Sequence, residues 1–241
     1  MIRNPLVLYS IFKIRPKTII HIGAHQGQDG KNYKKLKSEE IIWGEADSNS
    51  IKILKQKFPS DKIIPFIFWS VDGLELDFFE FPGGEKNSAI APIQLDSALN
   101  ISKRTTTTLD RLLDDNLLVA PIMLVLDVQG AEMEVLLGGK KFMPKIKYLV
   151  VEIANKPQGY VVTPLKGEII DYLKNYGLRP SIIRKSHDES YYDQLFVKSN
   201  MSRLVYIKLL DDLLCGLMIL KHWIVYKHKP NYVFSCSFCN L

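Results

Sequence analysis

The residues able to do chemistry sit where apolar runs stop. TIIHIGAHQGQDG (18–30) leaves an apolar run through Gly23, Ala24 and Gly27, with His21 before that turn and His25 inside it. IIWGEAD (41–47) ends at Glu45 and Ala46, the run from Lys62 ends before Asp72, and IMLVLDV (122–128) delivers Asp127. Glycine allows positive φ and close backbone approach, so the first loop can fold back and offer N–H groups to a ligand. Glu45 lies 22 residues after Gly23, near the ~20 at which an acid meets the ribose of a nucleotide cofactor. A carboxylate suits because it accepts from two vicinal hydroxyls at once. Asp72 is placed to accept from an adenine amino group.

Two phosphate grips are excluded. The fingerprint G-x-G-x-x-G would need glycine at His25 and Gln28, and no G-K-[ST] is present for a P-loop. The pattern left is that of an adenosine-containing cofactor held without a pyrophosphate grip.

The elements that position these residues alternate along the chain. Strands are expected at 18–24, 41–47, 62–71, 122–128 and 146–153, and an added strand or hairpin arm at 74–81. Helical spacing follows in SNSIKILKQKF, with Ile51, Leu54 and Phe58 on one face and Asp47 or Ser48 as cap. It returns in TTTLDRLLDD, in the segment starting at Gly130 and stopped by Gly138 and Gly139, and in PLKGEIIDYLKNYGL (164–178). Residues 83–104 read as a loop, KNYKKLKSEE as a solvated helix face, and PSIIRK and YYDQLFVK as antiparallel edge strands. The fold class is therefore α/β: a doubly wound, mostly parallel sheet with an antiparallel edge hairpin.

Composition sets the outer limits. The chain has 241 residues, 46% hydrophobic and 24% charged, which is that of a globular protein. Its net charge of +6 is dispersed among acidic residues, so no nucleic-acid partner is expected. All three cysteines lie from Cys215 onward, which indicates a reducing, cytoplasmic setting. Lysines and arginine break the N-terminal segment, so no secretion signal is expected. Residues 1–17 read as a lead-in, 18–199 as the main domain and 200–241 as a C-terminal helix and tail. Within the last, 204–226 has helical apolar spacing suited to docking, an oligomer contact or a peripheral membrane contact. One CxxC at Cys236 and Cys239, with no second pair nearby, falls short of the about four ligands a structural zinc site needs, and a disordered tail is expected there.

HIGAHQGQ, WGEADSN, TTLDRLLDD, LVLDVQGAEMEVLLGG and YLVVEI, in that order, resemble the landmarks of the FkbM family of S-adenosylmethionine-dependent methyltransferases. The resemblance runs from roughly Thr18 to Lys198. It implies a class I methyltransferase (Rossmann-like) fold with a seven-stranded sheet, S-adenosylmethionine as cofactor, and O-methylation of a hydroxyl on a sugar, glycan or other small acceptor. By position, Gly23, Ala24 and Gly27 match the loop around the methionine part of the cofactor, Glu45 with Ala46 the ribose acid, and Asp72 the adenine neighbourhood. Asp127, Gly130 and Glu132 match the D-x-E-G-x-E element at the reacting end. Asn87 and Ser88 resemble a serine-containing loop over the acceptor. The family usually has Asp where this chain has His21, and Glu where it has Gln129.

Methyl transfer is an in-line displacement, so a protein aligns the acceptor oxygen and takes or shares its proton. Asp127 is the first candidate for that role, or else caps the next helix. Glu132 either joins it or offsets the helix dipole. His25 either sits beside the reacting sulfur or serves as base, since imidazole exchanges protons near neutrality, or bonds locally. His21 belongs to the cofactor side or to the core, and Gln129 and Glu152 to the acceptor side. No spacing has the form of a dedicated metal site, although Asp127, Glu132 and Glu152 together could gather Mg²⁺. The competing functions are a methyltransferase scaffold that binds without turnover and a nicotinamide-dependent oxidoreductase.

Overall fold

A computed structural model describes residues 14–94, 99–114, 118–156, 159–186 and 191–198. The expectations for the helix, the contact at 204–226 and the cysteine pair lie outside these residues. The described chain runs β1 (Thr18–Ile22), α1 (Gly30–Lys35), β2 (Glu40–Gly44), α2 (Ser48–Lys57), β3 (Lys62–Ile64), β4 (Ile67–Phe68), β5 (Glu75–Glu80) and β6 (Asn100–Thr107). It continues through β7 (Ile122–Leu126), α3 (Glu132–Leu137), β8 (Ile146–Ala154), α4 (Lys166–Lys174), β9 (Leu178–Ser186) and β10 (Tyr191–Lys198).

Seven strands form one sheet in the order β3-β2-β1-β7-β8-β10-β9. β1 pairs in parallel with both β2 and β7, while β10 runs antiparallel to β8 and β9. The strand order reverses between β1 and β7, the switch point beyond whose carboxyl ends ligands bind in such sheets. Every residue of β1 and of β7 is buried, which is why β7 reads as an unbroken apolar run and β1 as one interrupted by Thr18 and His21.

Alternation along the strands divides the core. Ile20, Ile22, Leu124 and Leu126 face one side, against Val135 and Leu136 of α3 and Ile169 and Leu173 of α4. Ile19, Trp43, Met123 and Val125 face the other, against Tyr33 of α1 and Leu54 of α2. Full burial of each such aliphatic side chain contributes about 1.5–3 kcal/mol. The lysine-rich α1 thus has a buried face through Tyr33 as well as a solvated one. Asp47, not Ser48, caps α2: its carboxylate accepts from Ser50 N at 2.7 Å, an arrangement worth ~1 kcal/mol.

Three expectations change. The strand expected over 62–71 stops at Ile64, the last residue paired with β2, because Pro65 has no N–H to give the ladder. Ile67 and Phe68 instead pair with Thr106 and Thr107 in a second, three-stranded sheet, β4-β6-β5. The loop expected over 83–104 gives way at Asn100 to β6, whose largely exposed polar residues carry no apolar period. The helix expected after the threonines is a 3₁₀ segment, Leu109–Asp114.

Candidate active site

The chain leaves β1 under tight constraint. Gly23 N and Ala24 N both donate to Gly44 O, at 2.9 and 3.1 Å, so the loop is bound to the end of β2. Gly23 has φ +77°, and a Cβ there would lie 1.8 Å from the carbonyl oxygen of Asp127. Only glycine brings the ends of β1 and β7 this close. Above them opens a cavity of about 280 Å³, lined by residues from the ends of β1, β2 and β7 and from the loop before β6. That is near the lower end of the ~300–1,000 Å³ typical of ligand pockets.

Glu45 is 7% exposed and lines this cavity. One carboxylate oxygen accepts from His25 N at 2.6 Å, the other from Ala46 N and Asp47 N at 2.8 Å each. Burial raises its pKa, and those backbone bonds from Asp47, His25 and Ala46 oppose the rise. Ala24 and Ala46 line the cavity beside it. Gly27 does not. Its φ is +69° and a Cβ there would meet the Phe58 ring at 2.5 Å, so its role is to pack the loop on α2.

His25 lines the cavity, but both ring nitrogens are engaged. Gln28 Nε2 lies 2.7 Å from Nδ1, and Gly83 O lies 3.1 Å from Nε2. The amide donates, so Nδ1 accepts and the proton sits on Nε2, donated to the carbonyl. No lone pair remains for a base. His25 joins the β1 loop to the 83–90 loop, and the base role expected for it does not fit this geometry.

His21 also lines the cavity, at 4% exposure. Its Nδ1 lies 2.9 Å from the Tyr33 hydroxyl, and its Nε2 is buried with no hydrogen-bond partner among the described residues. Burial lowers its pKa to about 4, although the charge of Asp29 pulls the other way. The ring is neutral at neutral pH.

Across the cavity, Gln129 joins the carboxylates. Its Nε2 donates to Asp127 Oδ1 at 2.8 Å and reaches Glu152 Oε2 at 3.4 Å. Its backbone sits at φ 54° and its carbonyl accepts from the Ser88 hydroxyl at 2.8 Å. Burial, then the charge of Asp193, raises the Asp127 pKa to about 6. Burial, then Asp127 and Glu132, raises that of Glu152 to about 9. A glutamate at 129 would add another negative charge here; the amide supplies donors instead. Gln129 and Glu152 also line a narrow second cleft with Tyr160.

Glu132 is placed differently from the catalytic role expected for it. Its carboxylate accepts from Val128 N at 3.1 Å and from Gly130 N at 3.1 and 3.3 Å, so it braces its own loop. Burial raises its pKa to about 7. Among the described residues, no three His, Cys, Asp or Glu side chains are grouped to hold a metal ion. Asn87 and Ser88 do reach the cavity. Asn87 Oδ1 accepts from Phe81 N at 2.7 Å, and Ser88, 1% exposed, also accepts from Ile90 N at 2.9 Å.

Asp72 does not reach it. The break at Pro65 carries it away to a half-exposed position 3.8 Å from Arg111 Nε. The cavity end expected near Asp72 is instead apolar, formed by Phe66, Ile67, Phe68 and Phe78. An aromatic cluster straight after a proline was the available signal for it. Asp29 and Tyr160 were also missed; one sits in a polar loop, the other in a segment without periodicity.

A mostly parallel sheet of this order, with glycine and acid at its switch point and an apolar wall beside them, is a doubly wound α/β fold with a ligand site at the carboxyl ends of its strands. Residues 21–180 match the family described as "Methyltransferase FkbM domain", and the chain belongs to that family. No curated protein sequence matches the chain. Among solved structures it is similar to a putative RNA methyltransferase from Pyrococcus horikoshii, at 13% identity and a TM-score of 0.42, over 81% of this chain and 82% of that one. It is also similar to TrmK of M. capricolum in complex with S-adenosyl-homocysteine, at 11% identity and TM-score 0.44, covering 80% and 68% of the two chains. A third is magnesium protoporphyrin IX methyltransferase from Synechocystis with bound SAM, at 9% identity and TM-score 0.44, over 81% and 76%.

Proposed function

We propose that the protein methylates a hydroxyl of a sugar, glycan or other small acceptor, with Asp127 as the group that orients and deprotonates it. The observation that carries this is the position of Gln129 between two spaces, with Asp127 held on its amide. Asp127 lines the large cavity, Glu152 the narrow cleft, and Gln129 both.

The donor set of the large cavity fits S-adenosylmethionine. The phenylalanines suit a purine ring, Glu45 keeps acceptor capacity beside its backbone bonds for ribose hydroxyls, and the unpaired nitrogen of His21 awaits a polar partner. When bound, the cofactor supplies an electrophilic methyl group. The protein's part is alignment and proton handling. An Asp127 carboxylate whose pKa stands near 6 is mostly ionised at neutral pH yet basic enough to share a hydroxyl proton. Gln129 holds it in place, and Ser88 holds Gln129.

Incubation with methyl-labelled cofactor and a panel of sugars, glycans and polyols, followed by mass spectrometry, tests the reading. Label in an O-methyl ether supports it. Label only in nitrogen or carbon products refutes the acceptor class, and cofactor binding without transfer favours a binding protein.

A further inference from the structure

The chemistry of His21 follows from Tyr33. Tyr33 is fully buried, and among the described residues its hydroxyl has one polar contact, His21 Nδ1 at 2.9 Å. A phenol carries a single proton, and burial followed by the nearby Asp29 charge holds that proton on, pushing the pKa well up. The pair holds two donor protons and shares one bond, so one proton is left over: with Nδ1 protonated it is that of the phenol, whose residue does not line the cavity, and with Nε2 protonated it is that of the ring, whose residue does and where a ligand can accept it. The phenol therefore donates to Nδ1, and the neutral ring carries its own proton on Nε2. That N–H is the buried atom left without a partner, on a residue lining the cavity.

A neutral donor selects an acceptor. Of the two charged groups at the methionine end of the cofactor, the carboxylate accepts and the ammonium does not. Asp29 lines the same cavity and suits the ammonium. We propose that His21, its tautomer fixed by Tyr33, is a positioning residue that donates from Nε2 to the α-carboxylate of the cofactor. This rests on the cofactor assignment above. It also makes the histidine a change of partner, from the ammonium that a carboxylate at this position would favour to the carboxylate.

Calorimetry on the full chain tests it with S-adenosylhomocysteine, its decarboxylated analogue and 5′-methylthioadenosine, which lacks the amino-acid end. Wild type should bind the first ~10-fold or more tighter than the second, the scale of a charge-assisted bond. His21→Phe should abolish that preference and leave methylthioadenosine unchanged, while His21→Gln, which keeps a donor, should restore part of it. Equal weakening of all three ligands by His21→Phe would overturn the proposal as a packing effect. Failure of wild type to bind any of them would overturn the cofactor assignment itself, and the proposal with it. Nitrogen-15 spectra of the ring provide a readout that packing alone does not move. They should show protonated Nε2 in wild type and mixed tautomers in Tyr33→Phe; a protonated Nδ1 in wild type would overturn it.

Discussion

The two sides of the site hold their carboxyl groups in opposite ways. On the β1–β2 side, Glu45 is gripped by backbone N–H groups of His25, Ala46 and Asp47. On the β7–β8 side, Asp127 and Glu152 are held by one side-chain amide, that of Gln129. Backbone donors cannot move without moving the strand ends, so Glu45 is a fixed feature of the floor. An amide on rotatable bonds yields at far smaller cost, so the carboxylates it holds can exchange partners and protons. Glu132 sharpens the contrast. It lines the narrow cleft on the second side but is gripped by backbone, and it faces its own loop.

The largest expected effect comes from breaking the junction of the two sides. Gly23→Ala places a methyl group 1.8 Å from Asp127 O at a positive φ, and should cost more than ~4 kcal/mol. Chemical denaturation should find no stable folded population. Asp127→Asn should next lower kcat by about 10²–10⁴-fold, the range for a general base. S-adenosylhomocysteine affinity by calorimetry should change by less than ~3-fold, because the first side is intact. The same substitution at a structural carboxylate would lower stability and binding together.

The pH response follows the buried carboxyl groups. Carboxyls of the unfolded chain titrate at about 4, and Asp127, Glu132 and Glu152 are raised to about 6, 7 and 9 in the fold. Their contribution to stability is therefore full below about pH 4 and is lost as pH rises through those values. Thermal melts should fall between about pH 5 and about pH 9, and Glu152→Gln should flatten the alkaline part, by about 2–4 °C for each ~1 kcal/mol recovered. The smallest effect is Ser88→Ala. It removes the bonds to Gln129 O and from Ile90 N, at ~1 kcal/mol, and should raise the acceptor KM more than it lowers kcat.

The sheet was legible because β1, β2, β7 and β8 are buried strands of apolar sequence bounded by glycine and acid. Asp47, Glu45 and the Gly23 turn followed from the same pattern. Asp72 misled because proline at 65 ends a ladder that hydropathy alone would extend, and the chain then enters another sheet. β6 was invisible because NISKRTTT, although the middle strand of the small sheet, is exposed or half-exposed over most of its length, so burial imposes no alternation. The partner of His21 lay within KNYKK, where one tyrosine among lysines gives no sign that it faces inward. The occupancy of His25 depends on a glutamine three residues on and a carbonyl 58 residues away, which spacing does not reveal.

The contact between position 23 and Asp127 also bears on how this sequence can drift. The atom that forbids a side chain at 23 is a main-chain carbonyl oxygen, and no replacement at 127 removes it. Across relatives that share this geometry, position 23 should stay glycine whatever residue 127 becomes, so the two sites will show no compensating exchanges despite touching. Pair-covariation methods would miss this close approach, and a directed-evolution library would gain nothing by randomising the two positions together.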